Sequence, residues 1–249
     1  PGSVGSVGWA LPYTKVEVLH LNEDGSLGEP CTTDEIGVIT ILGDHITPGY
    51  RDPEHNEGTI DAGRLNSGDL GYKDAQGRIY VAGRSKDLII RSGHNIDPAM
   101  IENAMATHPE VALAAAVGIP DAYAGELPMC FVELLPDANV SIEELHQHAQ
   151  SSIDERPAWP KIIKTIDTIP LTTVGKIFKP SLRCDAAKQR VMELLQDELK
   201  VANPLVEVVA GGSRGMRVTV NLSKSQQSSV AELERALSAF LFEAKVQVA

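Results

Sequence analysis

Three short segments carry residues that could handle a nucleotide: Ser67-Gly68-Asp69, Gly83-Arg84-Ser85-Lys86 and, far downstream, Gly175-Lys176. The two oxygens of a carboxylate such as Asp69 can accept hydrogen bonds from the two hydroxyls of a ribose. The planar fork of Arg84 suits phosphate or ribose oxygens. Lys176, on a loop marked by Gly175, can deliver a point charge to a centre where negative charge builds up. Taken singly, each has a plainer reading. Asp69 is then a turn residue after Gly68, Arg84 a surface ion pair, and Lys176 a solvated lysine beyond a turn. Their combination in this order is what singles them out.

Other chemistry-bearing residue types offer less. Cys31, Cys130 and Cys184 are far apart and odd in number, without a C-x-x-C, so reduced thiols are expected rather than disulfides or a metal site. His146 and His148 lie two apart on an expected helix, do not share a face, and read as surface residues. His94 stands alone and reads as structural. No metal-ligand set is expected.

The balance of 22 Lys+Arg against 34 Asp+Glu, a net charge of −12, argues against nucleic acid or an anionic membrane as a general partner. A local basic site for one nucleotide is still compatible with it. The longest apolar run, Val111 to Ile119, is too short to span a bilayer. No signal-peptide pattern opens the chain, so a cytoplasmic location is expected. The chain begins Pro1-Gly2-Ser3 without Met and reads as a segment of a longer protein.

The elements that must position these residues follow from periodicity and turn chemistry. Residues 1–84 read as β-rich: Lys15 to Leu21 alternates around Val16, Val18 and Leu21, Ile36 to Leu42 is apolar and β-branched, and Arg78 to Val81 follows a turn at Asp74-Ala75-Gln76-Gly77. Residues 85–188 alternate helix and strand. Leu88-Ile89-Ile90 is a short strand, and Asp97-Pro98 opens a helix with Met100, Ile101, Ala104 and Met105 inward. Buried strands are expected over Ala112 to Ile119 and Met129 to Leu135, and another over Ile162 to Ile169. Ser141-Ile142-Glu143-Glu144 is a capping box that starts a helix running to about Ile153. Residues 189–249 read as a further α+β appendage. A helix from about 182 to Lys200 presents Val191, Leu194, Leu195 and Leu199, followed by Val206 to Val209, a Gly211-Gly212-Ser213 turn and Met216 to Leu222. A helix opened by Ser229 then places Val230, Leu233, Leu237, Phe240 and Leu241 on one stripe, and Lys245 to Val248 closes the chain. The fold class is α+β: a β-rich first part followed by an α+β domain and an α+β extension.

Four ordered motifs resemble the adenylate-forming superfamily: acyl-CoA synthetases, peptide-synthetase adenylation domains and firefly luciferase. They are Glu35-Ile36-Gly37 leading to Gly49-Tyr50-Arg51-Asp52-Pro53-Glu54; Ser67-Gly68-Asp69-Leu70; Gly83-Arg84-Ser85-Lys86-Asp87 through Ser92-Gly93-His94-Asn95-Ile96 to Ile101-Glu102; and Pro170-Leu171-Thr172-Thr173-Val174-Gly175-Lys176. Ser67 stands where the family usually has Thr, and keeps the hydroxyl. The family's Ser/Thr/Gly-rich phosphate loop and its aromatic-Gly-x-Thr-Glu segment, whose Glu helps hold Mg²⁺, do not occur in these residues. The resemblance therefore implies the C-terminal part of an AMP-forming enzyme: the β-rich end of the large domain (1–84), the small mobile domain (85–188) and an extension (189–249). It implies Lys176 as the catalytic lysine, Asp69 and Arg84 as nucleotide-binding residues, Lys86 as the hinge, and Ser92 and Gly93 as the loop beside coenzyme A. Tyr50 and Glu54 match the family segment and read as architectural.

The reaction so implied joins a carboxylic acid, ATP and coenzyme A through an acyl-adenylate. Mg²⁺ ligands are expected in a missing N-terminal part, and this segment alone is expected to be inactive. Adenylation followed by loading of a carrier protein is the alternative within the chemistry. A non-catalytic binding module is the alternative outside it. For the extension, docking on the small domain is the plain reading, and oligomerisation of the enzyme or regulation the sharper one.

Overall fold

The computed structural model of the chain describes residues 5–22, 26–61, 63–211 and 215–248, divided between two compact units, 1–87 and 88–249. The first unit is an antiparallel sheet. Its strands are β1 (Ser6–Gly8), β2 (Thr14–Leu21), β3 (Leu27–Pro30), β4 (Gly37–Gly43), β5 (Ile60–Asp61), β6 (Arg64–Lys73) and β7 (Ile79–Arg84), in the order β1-β7-β6-β4-β2-β3 with β5 on β6. Alternation along β2 sends Val16 and Val18 inward to meet Ile39 and Ile79. The same alternation predicts Leu21 inside, yet it is exposed. The register of β2 on β3 shifts between Leu19 and Leu21, and Leu19 is the residue buried at this end. Ile36, expected at the start of a strand, lies before β4 and is also exposed.

The second unit begins with a hairpin, β8 (Ile89–Arg91) and β9 (His94–Ile96), followed by α1 (Pro98–Ala106), β10 (Val111–Asp121), β11 (Gly125–Leu134), α2 (Ile142–Ser152), β12 (Ile162–Thr165) and α3 (Lys179–Glu193). Asp97 caps α1 through the Ala99 amide, with Pro98 in the first turn. Ser141 and Glu144 form the expected reciprocal box at the start of α2. The sheet order is β10-β11-β8-β9, with β12 parallel to β11. β12 ends at Thr165, short of the Ile169 expected from the apolar pattern. Ile169 is nonetheless buried, its amide held by Glu133 at 2.7 Å.

β10 is buried on both faces, which explains its unbroken apolar sequence. Ala114 and Ala116 face a core with Ile101, Met105, Leu145 and Ala149 of α1 and α2. Ala115, Val117 and Ile119 face another with Leu182 and Ala186 of α3. The unit therefore has α1 and α2 on one side of the sheet and α3 on the other.

α3 serves two cores. Beyond Ala186 its Val191, then Leu194 and Leu195 in a π-turn over Leu194–Glu198, enter a third cluster. That cluster is built on β13 (Leu205–Ala210), β14 (Met216–Leu222), α4 (Val230–Leu237) and β15 (Glu243–Val248), with β14 central, antiparallel to β13 and parallel to β15. The helix expected from about 182 starts at 179 instead, because Lys179-Pro180 satisfies the first-turn preference for proline. Leu233, Leu237 and Phe240 are buried as the stripe predicts, but Leu241 is exposed because α4 ends at Leu237. The start signal lies at Ser223, whose box with Gln226 precedes the helix, while Ser229 makes no side-chain cap. Gly212 and Ser213 of the expected turn lie outside the described residues.

Candidate functional site

Asp69 stands on a bulge. From Asn66 to Leu70, β6 takes four steps where β4 takes two, from Thr40 to Val38. Ser67, Gly68 and Asp69 thus stand where β4 has Ile39 alone, a surplus of two residues that leaves the β4 ladder. Ser67 Oγ donates to the Ile39 carbonyl at 2.7 Å and accepts from the Asp69 amide at 3.1 Å, and the Gly68 amide donates to Asn66 Oδ1 at 2.9 Å. The hydroxyl of Ser67 thus pins the bulge at both ends. Ser85 Oγ adds a bond to the Gly68 carbonyl at 3.1 Å. Next along β6, Gly71 lets the β7 backbone come close: a Cβ there would lie 2.0 Å from the Tyr80 carbonyl oxygen. The β6–β7 register shifts at this point and sets Asp69 directly opposite Arg84.

The two side chains meet, with Arg84 Nε 2.9 Å from Asp69 Oδ1. The guanidinium remains 65% exposed and the carboxylate 31%. The acid and the cation that the sequence pointed to separately therefore form one polar unit, with donors and acceptor capacity left over for a ligand. The surface ion pair considered for Arg84 exists, and its partner is Asp69. Lys86 follows, exposed, in a 3₁₀ turn over Ser85–Asp87.

Ser92 and Gly93 form the two-residue turn of the β8–β9 hairpin. Their φ values are +49° and +83°, the geometry of a turn with both central residues left-handed, which matches the twist of the strands. Gly93 accepts this conformation without cost, and Ser92 holds it against its own preference. The turn is tied down by the Ser92 amide, which donates to the Ala124 carbonyl at 2.8 Å. No atom lies within 4 Å of where a Gly93 Cβ would be, so the turn presents an open backbone surface.

Lys176 sits at the end of a second tight loop, closed by the bridge between Leu171 and Ile177. Thr172 organises it: its amide donates to the Lys176 carbonyl at 2.7 Å, and its hydroxyl accepts from the Lys176 amide at 3.1 Å. Gly175, at φ +79°, makes the reversal. The Lys176 side chain is exposed and has no salt bridge among the described residues. Three residues on, Lys179 at the start of α3 is largely buried against Glu102 of α1, Nζ to Oε1 2.8 Å. The same Glu102 oxygen accepts the Ala116 amide at 2.9 Å. This pair anchors the base of the Lys176 loop. Glu102 lies in one of the four motifs, but nothing local in the sequence links residues 102 and 179.

Glu126 was also missed. Burial pushes its carboxyl up from the ordinary range, while a hydrogen bond from the Ile90 amide at 3.0 Å and the charge of Arg183 pull it down. Cys130, fully buried, has its thiol pushed up to about 12 by burial and by the neighbouring Glu102. His148, read as a surface residue, bridges the helices, with Nε2 3.0 Å from the Ala104 carbonyl and 2.9 Å from Thr107 Oγ1. Among the described residues one mixed donor group, His20, Cys31 and Glu35, has ligand atoms within 4.8 Å of one another. One Glu35 oxygen there is already held by the Thr32 amide and hydroxyl at 2.7 and 2.8 Å.

The family model of the AMP-binding enzyme C-terminal domain matches residues 100–176. Over 225 residues the chain is 41% identical to the marinolic acid–CoA ligase of a Pseudoalteromonas species, covering 90% of the chain and 34% of that protein. It is 35% identical over 179 residues to a long-chain-fatty-acid–CoA ligase of Bacillus subtilis, covering 72% of the chain and 31% of the relative. Among solved structures, ATP-bound MatB from Rhodopseudomonas palustris superposes with a TM-score of 0.67 at 29% identity, over 74% of this chain and 36% of that one. The o-succinylbenzoate CoA synthetase of B. subtilis, in complex with its acyl-adenylate, gives 0.63 at 30% identity, over 72% and 36%. The chain spans about a third of the length of these relatives. The first match covers 90% of the chain, so it reaches into residues 189–249.

Proposed function

Because the chain belongs to the adenylate-forming superfamily, as a C-terminal segment of its acyl-CoA ligases, we propose that it works in an AMP-forming acid–thiol ligase. The substrates are a carboxylic acid, ATP and coenzyme A. The acid attacks the α-phosphorus of ATP and releases pyrophosphate, and the coenzyme A thiol then attacks the acyl carbon and releases AMP. The observation that carries this reading is the register of β6 on β7 that sets Asp69, on its bulge, against Arg84. It builds an acceptor for vicinal hydroxyls and a donor for phosphate or ribose oxygens side by side on a rigid sheet.

Lys176 supplies the charge for the first step. Two anions must approach each other there, and an ammonium between the incoming carboxylate and the α-phosphate offsets their repulsion. Its tight loop and exposed side chain suit a group presented to a ligand. The open Ser92-Gly93 turn suits close passage of the pantetheine arm in the second step. Lys86, in a short 3₁₀ turn beside the division between the two units, is the hinge residue of this reading. Mg²⁺ would neutralise phosphate charge, with ligands outside this segment. Trp9, Leu11 and Tyr13 are exposed, and further polypeptide of the same enzyme would cover them.

The test is acid-dependent exchange of labelled pyrophosphate into ATP by an enzyme carrying this segment, followed by CoA thioester formation with release of AMP. Thioester formation with release of ADP, or exchange that needs no acid, would overturn the proposal.

A further inference from the structure

We propose that Glu126 is a positioning residue that latches the Ser92-Gly93 turn onto the sheet of the second unit, and that acyl transfer to the thiol depends on this latch. The second half rests on the coenzyme A reading above. Ile89 and Ile96 seat the hairpin in the core of the unit, but its backbone pairing to the sheet is sparse: β8 meets β11 through the single pair Gly125 and Arg91. Beyond that pair, a carboxylate takes the place of a ladder carbonyl. Glu126 Oε2 accepts the Ile90 amide at 3.0 Å, a charge-assisted bond two residues from the turn. Nearer the turn the Ser92 amide donates to the Ala124 carbonyl at 2.8 Å, and the Arg91 guanidinium donates to the Pro157 carbonyl at 2.6 Å.

The seat of this carboxylate is built. It lies over Gly118 of β10, where a Cβ would come within 2.4–2.7 Å of all three carboxylate atoms. Any other residue at 118 would push Glu126 aside. The charge of Arg183, on α3, acts on the carboxylate from the helix that begins just after Lys176. Thus β8, β10 and α3 converge on one side chain that no quoted motif contains. Glu126 is placed to orient the turn and touches no proposed substrate.

Two measurements test this. In the 249-residue chain, Glu126→Ala should speed amide hydrogen exchange at Ile90 and Ser92 by about tenfold or more, the scale of one charge-assisted bond. Exchange in α1 and α2 should be unchanged. In the enzyme carrying this segment, transfer from preformed acyl-adenylate should show a KM for coenzyme A raised by about tenfold, with acid-dependent pyrophosphate exchange within about twofold of normal. Glu126→Gln keeps a carbonyl acceptor and should fall between the two. Gly118→Ala, which displaces the carboxylate while leaving it in place chemically, should reproduce Glu126→Ala and serves if that variant folds poorly. Unchanged exchange at Ile90, or equal loss in both half-reactions, would overturn the proposal. Failure of the unaltered enzyme to use coenzyme A would instead overturn the acceptor reading, and the exchange result would still decide whether Glu126 is the latch.

Discussion

Arg84 Nε lies 2.9 Å from Asp69 Oδ1 across the β6–β7 ladder, where the two residues are direct partners. The contact joins the two nucleotide-binding candidates into one polar unit. It takes one lone pair of Oδ1 and leaves the other, with Oδ2, to accept. Replacing Asp69 by Ala should raise the KM for ATP in pyrophosphate exchange by about tenfold or more, as for loss of hydrogen bonds to a charged group. Arg84→Ala should cost less, because its side chain is the more exposed partner. An unchanged KM in Asp69→Ala would remove this pair from the site.

Lys176→Ala should separate the two chemical steps. Adenylation should fall by about a hundredfold or more, the scale of losing one electrostatic stabiliser of a developing charge. Thioester formation from preformed adenylate should survive much better, since no second anion approaches there. Equal losses in both half-reactions would argue against the role given to this lysine.

The Ser92-Gly93 turn makes a prediction about stability. No side-chain clash awaits a residue at 93, so the cost of Gly93→Val is the left-handed backbone alone, about 1–2 kcal/mol. Ser92→Gly should lie within about 0.5 kcal/mol of the original, because relief of the Ser backbone and the entropy of Gly nearly cancel. Urea unfolding of the chain reads both.

α3 should make one cooperative unit of two cores. Leu182 and Leu195 are both fully buried, one against the β10–β11 sheet and the other among β13, β14 and α4. Each replacement by Ala should cost about 2–5 kcal/mol. Both should move the same thermal transition. A transition of residues 189–249 that shifts alone would show that the helix does not couple them.

The thiols should react in a set order. Burial raises Cys130 from an ordinary 9.0 to about 12, whereas Cys31 and Cys184 are partly accessible. Alkylation at pH 8 should spare Cys130 until denaturant is added. The folded chain holds this proton more tightly than the unfolded one. Its contribution to stability is therefore complete below pH 9 and is lost as pH rises toward 12. A Cys130→Ala variant should lose stability less steeply over that window.

Much of the local structure was legible in the residues. Asp97-Pro98 and the Ser141–Glu144 box mark helix starts that the fold uses. The approximate strands followed from β-branched alternation, and residue type and spacing alone singled out Asp69, Arg84 and Lys176 as candidates. Leu21 and Leu241 were misplaced because periodicity assumes that an element continues in register, and a bulge or a helix end breaks that assumption without a residue type to announce it.

What the sequence by itself determined was therefore short-range: caps, turns, alternation and the order of the motifs, all set by backbone preferences within a few residues. Only the tertiary structure decided that Asp69 would face Arg84, that Glu126 would sit over Gly118 beneath Ile90, that Lys179 would find Glu102, and that α3 would belong to two cores. These depend on strand register and on close approach between distant segments. Such contacts are selected by the packing of the whole unit and leave no spacing rule along the chain.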